Sequence, residues 1–116
     1  MTLWSRKLTA VDDLDVVFKA LADPTRRALL DLLAEDDGQT LSTLADAFPE
    51  MTRFGVMKHL RLLEAARLVT SEKRGREKLH YLNPVPIRAI HDRWISRYAE
   101  PHVAGLLALR DRSEGA

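Results

Sequence analysis

The stretch TLSTLADAFPEMTRFGVMKHLRLLEAA, residues 40–66, repeats one pattern twice. Thr40 precedes Leu41, Leu44, Ala45 and Phe48, and Pro49 halts that run. Thr52 precedes Val56, Leu60 and Leu63, which recur at i, i+4 and i+7. A threonine hydroxyl satisfies an orphan N–H at a helix start, and apolar residues at this spacing form one buried stripe. The pattern predicts a short helix, a tight connection at Pro49-Glu50-Met51 and a longer helix capped by Thr52. That is the layout of a helix-turn-helix.

The longer helix carries a face that is wrong for water alone. Phe54, Gly55 and Met57 lie among Lys58 and Arg61, with Phe54, Lys58, Arg61 and Ala65 opposite the apolar stripe. Arginine and lysine can hydrogen-bond guanine, and an apolar side chain can meet a thymine methyl. Thr52 and Arg53 at the helix start suit a phosphate, aided by the free N–H groups there. Phe54 has two readings, a groove contact or packing onto the turn. Met57 serves equally as core filler or as a contact. Gly55 costs a helix interior up to about 1 kcal/mol relative to alanine, a cost that close approach to a neighbouring helix or to DNA would justify. His59 falls toward the core side and is expected half-buried and satisfied.

Around this pair the chain reads as mainly α with a small β-hairpin. Leu14, Val17, Phe18 and Leu21 make a first stripe, with Thr9 as its cap. Asp23-Pro24 opens a second helix, since Asp is a good N-cap and Pro is tolerated at the first helical position. It runs to a stop at Asp37-Gly38. Arg26 and Arg27 either touch phosphate or, as the preferred reading, pair with nearby Asp side chains. LVTSEK and KLHYL favour strands, and the Arg74-Gly75-Arg76 stretch between them marks a hairpin with a basic tip. Asn83-Pro84-Val85-Pro86 breaks the chain before a late helix with Ile87, Ile90, His91, Trp94 and Tyr98 on one face. Pro101 should interrupt it, and HVAGLLALRDR should add a final amphipathic piece.

Charge separates along the chain although its net value is +1. Residues 11–50 hold ten Asp/Glu against three Lys/Arg, whereas residues 53–78 hold eight Lys/Arg against three Asp/Glu. A cation block confined to the second helix of the pair and the hairpin fits a polyanion. Lys73, Arg74, Arg76 and Lys78 are the hairpin's candidates for phosphate or minor-groove contact. Lys73 and Lys78 are also compatible with a charged hairpin edge.

These elements, in this order, resemble the ArsR-type (arsenic-repressor-like) winged helix-turn-helix regulators. VFKALADPTRRALLDLL is similar to the family's opening. VMKHLRLLEAARLVTSEKRGREKLHYL is similar to its recognition helix and wing. The resemblance spans roughly residues 10–100. It implies one winged helix-turn-helix domain over 1–116, with the helix-turn-helix at about 40–66 and the wing at about 68–83. Dimerisation helices would lie at about 10–22 and 86–112. It implies a homodimeric repressor on double-stranded DNA bearing an inverted repeat. Leu14, Phe18, Ile90, Trp94, Tyr98 and Leu106 are then expected at the dimer interface. Trp4 is a further candidate to cover that seam.

One departure from the family pattern sets the expected branch. Many members sense metals through a Cys-x-Cys near the third helix, and the aligned positions here are Thr40 and Ser42. The late-helix site reads Pro84, Val85, Pro86, Arg97 and Glu100, of which only Glu100 suits a metal. The chain has no cysteine. Its four histidines, His59, His80, His91 and His102, show no i, i+3 or i, i+4 pairing. No metal and no cofactor is expected, and any small-molecule effector is left open. No membrane span or signal segment is legible, so a cytoplasmic protein is expected. An enzyme is disfavoured by the lack of a phosphate loop or a convergent Asp/His pair. The competing reading is a winged-helix protein-interaction module that does not bind DNA.

Overall fold

The computed structural model describes residues 14–115. In chain order these form α1 over 14–21, α2 Pro24–Glu35, α3 Leu41–Asp46 and α4 Arg53–Ala65. Strands β1 Val69–Arg74 and β2 Glu77–Leu82 follow. The chain ends in α5 Val85–Ile90, a π-helical stretch His91–Ala99, and α6 Glu100–Gly115. The elements fall into two compact units whose boundary in the chain is Pro86–Ile87. The expectations for Thr9, Trp4 and residues 10–13 lie outside the described residues. No helix among the described residues is long and apolar enough to cross a membrane.

In the first unit α2, α3 and α4 start where their caps predict. The Asp23 carboxylate accepts the Arg26 N–H at 3.1 Å, with Pro24 beginning α2. The Thr40 hydroxyl accepts from Thr43 N–H at 3.2 Å, and the Thr52 hydroxyl from Gly55 N–H at 3.0 Å. The Arg26 backbone N–H holds the Asp23 carboxyl below its usual range against the opposing effect of burial, with the Arg26 and His59 charges adding to the shift. Helix α3 ends at Asp46, two residues before Phe48, so the connection to α4 runs from Ala47 to Thr52. Pro49 disfavours helical backbone at the residue before it, which moves the stop upstream of the expected one.

The core is the sum of the stripes. Leu29, Leu33, Leu44, Val56, Leu63 and Leu68 are sealed from solvent, with Val17, Ala20, Leu30, Leu60, Ala66 and Val69 nearly so. The first stripe needs correction. Val17 and Ala20 carry the burial in α1, whereas Phe18 stays 43% exposed. Arg26 and Arg27 also depart from expectation, because among the described residues no Asp carboxylate forms an ion pair with their side chains. Arg26 donates to the carbonyls of Ala20 (2.8 Å) and Lys19 (2.9 Å), and Arg27 to that of Leu21 (2.7 Å). The last carbonyls of α1 have no helical partners, and two cations at that end satisfy them.

After α4 the chain turns sharply into the wing. Leu68 N–H reaches the Leu63 carbonyl at 3.0 Å and Arg67 N–H the Glu64 carbonyl at 2.9 Å. This is a Schellman ending, with buried Leu63 and Leu68 as its apolar contact. The residue at its left-handed position is Arg67, at φ 62°. Asn83 braces the turn, donating from its side chain to the Arg67 carbonyl at 2.7 Å and from its N–H to Leu68 at 2.8 Å. Strands β1 and β2 pair antiparallel from Val69↔Leu82 to Arg74↔Glu77. Gly75 at φ 61° leads the two-residue loop Gly75-Arg76, the place where a type II′ turn needs glycine. On its outer side β2 pairs with Gln39 through His80, which gives the wing a third rung.

In the second unit the backbone is helical from Ile87 to Gly115, and only its type changes. The π-helical stretch ends immediately before α6. Pro101 is the second residue of α6 and cannot donate a backbone hydrogen bond to the π-helical turn before it. The expected interruption is therefore a change of helix type. Arg88 pairs with Asp92 at 2.9 Å, and the Arg93 and Arg97 guanidinium groups lie over Trp94 and Tyr98 at 5.1 and 5.7 Å. Trp94, Ile95, Tyr98, Val103, Leu106, Leu107 and Leu109 are all exposed. The expected amphipathic stripe in α6 is incomplete, since Leu109 falls off the face shared by Val103, Leu106 and Leu107.

Left-handed backbone costs an L-residue roughly 1–2 kcal/mol, and glycine escapes that cost. Arg67→Gly should therefore stabilise the fold by about 1 kcal/mol, while Arg67→Ala should not. Urea denaturation of both variants checks this. Equal stability of the two would show that the turn stores no strain.

Candidate nucleic-acid interface

Burial of Val56, Leu60 and Leu63 fixes the rotation of α4 about its axis. With that side inward, Phe54, Lys58, Arg61 and Ala65 are exposed on the other. Phe54 is 67% exposed and does not pack onto the turn as a core residue would. Met57 is half-buried at the flank. The space next to Gly55 explains that residue differently from the expectation. A side-chain carbon there would stand 3.3 Å from the Thr52 hydroxyl and 3.4 Å from the Met51 methyl. The close approach is to the helix's own cap.

A cleft of about 440 Å³ opens between the start of α3, one flank of α4 and the wing. Thr40, Leu41 and Ser42 line it from α3, and Arg53, Met57, Arg61 and Glu64 from α4. Arg76, Lys78 and His80 line it from the wing. Four of its lining residues are thus cations from the block read in the sequence. Arg53 donates to the Ser42 hydroxyl, so its guanidinium is held against the first turn of α3. Thr52 is exposed while its oxygen serves as the cap. Its hydroxyl hydrogen still points away from the helix N–H groups and can donate outward.

The wing cations are not equivalent. Lys73 and Lys78 are directly opposite one another across the strands. Side chains alternate along a strand, so these two share the face of buried Val69 and His80. Like charges facing across a pair are unfavourable unless something negative lies near. Lys78 finds Glu64, with Nζ 3.2 Å from Oε1. Arg74 faces the other way, 3.8 Å from Glu72, with Glu77 across from it. Arg76 is exposed in the turn. Among the described residues no ion pair engages Lys58, Arg61, Lys73 or Arg76.

His59 is half-buried, as expected, and its Nδ1 lies 3.3 Å from the Arg26 guanidinium nitrogen Nη1. Ser42, Glu64 and His80 are among the lining residues that are not site candidates in the sequence, where Ser42 is only a position aligned with a family cysteine and His80 one of four scattered histidines. No local spacing joins β2 to α4, so no sequence signal pairs them. Among the described residues no three His, Asp or Glu side chains stand close enough together to hold a metal ion.

Known proteins share this arrangement. Residues 21–72 match a helix-turn-helix domain family. The chain is 38% identical over 86 residues to the HTH-type transcriptional regulator YuzN of Bacillus subtilis (strain 168), covering 70% of this chain and 94% of that protein. It is 36% identical over 67 residues to the transcriptional repressor SdpR of the same organism, covering 58% of this chain and 72% of that one. An ArsR-like transcriptional regulator from Rhodococcus sp. RHA1 has the same fold, with a TM-score of 0.67 and 32% identity over 89% of this chain and 94% of that one. The exposed row on α4, the basic wing and these likenesses converge: the chain belongs to the ArsR-type winged helix-turn-helix family of DNA-binding transcriptional regulators.

Proposed function

We propose that the protein is a sequence-specific repressor that binds an inverted repeat as a homodimer in the cytoplasm. The carrying observation is the exposed row Phe54, Lys58 and Arg61, set opposite a sealed stripe on the same helix. A helix of this kind enters a major groove and presents its outward row to base edges. Lys58 and Arg61 are assigned to base edges, and Phe54 and Met57 to thymine methyls. Thr52 and Arg53 take phosphate at the helix start. Lys73, Arg74, Arg76 and Lys78 hold the flanking backbone or the adjacent minor groove. The likeness to SdpR supports repression.

Dimerisation is assigned to apolar side chains that are exposed or half-buried. Leu14 and Phe18 offer such a surface in the first unit, and Ile90, Trp94, Tyr98 and Leu106 in the second. Exposed apolar area of this extent on a small chain marks an interaction surface. Two copies would then set their α4 helices in successive major grooves about 34 Å apart. Sedimentation should find a dimer at micromolar concentration, free and on DNA. A monomer in both states would contradict the assignment.

Helix and wing should differ in what they contribute. Arg61→Ala should cost about 1–3 kcal/mol on the selected site and little on random duplex, because a lost base contact relaxes specificity. Arg76→Ala should weaken both duplexes alike and reduce the salt slope by about one unit. Anisotropy titrations at two salt concentrations make the comparison. If Arg76→Ala collapses the specific-to-random ratio and Arg61→Ala preserves it, the roles are reversed.

A further inference from the structure

We propose that His80 and Glu64 form a proton-dependent latch between the wing and the recognition helix, acting as positioning residues for DNA binding. This deepens the DNA-binding reading and rests on it. His80 is the only polar side chain fully buried among the described residues, at 4% exposure. Its backbone is fixed on both sides, by Ser71 across the hairpin and by Gln39 on the outer edge. The ring is therefore anchored at the root of the wing.

The ring's protons follow from its partners. Nδ1 is 3.0 Å from the Gln39 carbonyl oxygen. A carbonyl only accepts, so Nδ1 carries a hydrogen. In the neutral ring Nε2 is then a bare acceptor. It stands 3.8 Å from Glu64 Oε1, which is itself buried and receives no hydrogen bond. Lys78 Nζ lies 3.2 Å from that oxygen, but its hydrogen bond runs to Oε2 at 3.4 Å. Two acceptors thus face each other at the wall of the cleft, one proton short of a bond.

A proton on Nε2 completes the pair. Charge-assisted hydrogen bonds close to about 2.7–2.9 Å, so the gap shortens by about 1 Å. Glu64 lies in α4 and His80 in β2, so closure draws the wing root onto the recognition helix. The charges around the ring set the coupling to DNA. Glu64 favours the proton, with Glu77 further along the wing. Arg53 and Arg61 from α4, and Arg76 and Lys78 from the wing, oppose it across the cleft. Asp37, on the α2–α3 link, is engaged by the Leu82 N–H. Gln39, Thr40 and Ser42 bring no charge. Phosphates lying against the four cations would offset their repulsion of the proton. DNA binding should then raise the proton affinity of His80, and by reciprocity protonation should raise DNA affinity.

Two variants separate the latch from a plain packing role. Glu64→Gln sets an amide N–H opposite the bare Nε2 and closes the latch without a proton. His80→Asn keeps a donor toward the Gln39 carbonyl and removes Nε2. The probe is a duplex selected by the protein from genomic fragments, titrated at fixed salt between about pH 8 and pH 6, where imidazoles change charge. Wild-type affinity should rise by about fivefold or more on acidification, the lower end of ordinary coupling. Both variants should lose that slope, whatever their absolute affinity. Persistence of the wild-type slope in Glu64→Gln would overturn the proposal, even if His80→Asn fails to fold.

Ring nitrogen shifts in the free, full-length protein give a second reading. They should show the Nδ1–H tautomer of His80 at high pH, and a titration midpoint that moves in Glu64→Gln. An Nε2–H tautomer would overturn the latch directly. If no duplex binds at any pH, the DNA-binding reading fails instead, and these shifts alone decide whether the proton site exists.

Discussion

Everything on the binding side depends on which way α4 faces. Val56, Leu60 and Leu63 are at most 2% exposed, on a helix that packs against α2 and α3. Burying a leucine or valine side chain is worth roughly 1.5–3 kcal/mol, so three of them resist rotation of the helix strongly. With 3.6 residues per turn, the same rotation sends Phe54, Lys58 and Arg61 outward together. The recognition row is thus a consequence of the core. A helix turned by one residue would bury a cation and expose the stripe.

The second constraint is how the wing is hung from that helix. The Schellman ending at Arg67, braced by Asn83, fixes where β1 departs. The Gln39–His80 rung ties β2 back to the segment ahead of α3. Gln39 also reaches the Leu32 and Asp36 carbonyls at the end of α2, at 3.0 and 2.6 Å. A single short link therefore joins the end of α2, the start of α3 and the wing. The Glu64 contacts with Lys78 and His80 add a side-chain tie to α4 itself. The wing's cations are positioned by backbone pairing at their root and by electrostatics along their length.

What was legible in the sequence was local. A cap acts over three residues and a stripe over seven, so Asp23, Thr40, Thr52 and the burial of Val56, Leu60 and Leu63 could be read directly. Gly75 told of the turn because its neighbours were strand formers. What could not be read were contacts between residues far apart in the chain. Arg26 has Asp23 nearby in sequence, yet its guanidinium goes to the carbonyls of α1, which the fold alone brings within reach. Phe18 fits the α1 stripe by spacing, but Ala20 takes the inward place. The start of the α3–α4 turn shifted because the conformational limit on the residue before Pro49 outweighed the apolar pattern. His80 and Glu64 are sixteen residues apart and belong to different elements, so their pairing carried no signature.

The central claim is that the outward row of α4 lies in a major groove. The chain contains no cysteine, so a single introduced one can be labelled uniquely. Phe54→Cys carrying a short photo-crosslinker, bound to the selected duplex, tests the claim most directly, with Glu35→Cys on α2 as the distant control. The account predicts cross-links from position 54 to base atoms in the major groove, in two clusters about one helical turn apart, and none from position 35. Cross-links confined to the sugar–phosphate backbone, or equal yields from both positions, would contradict it.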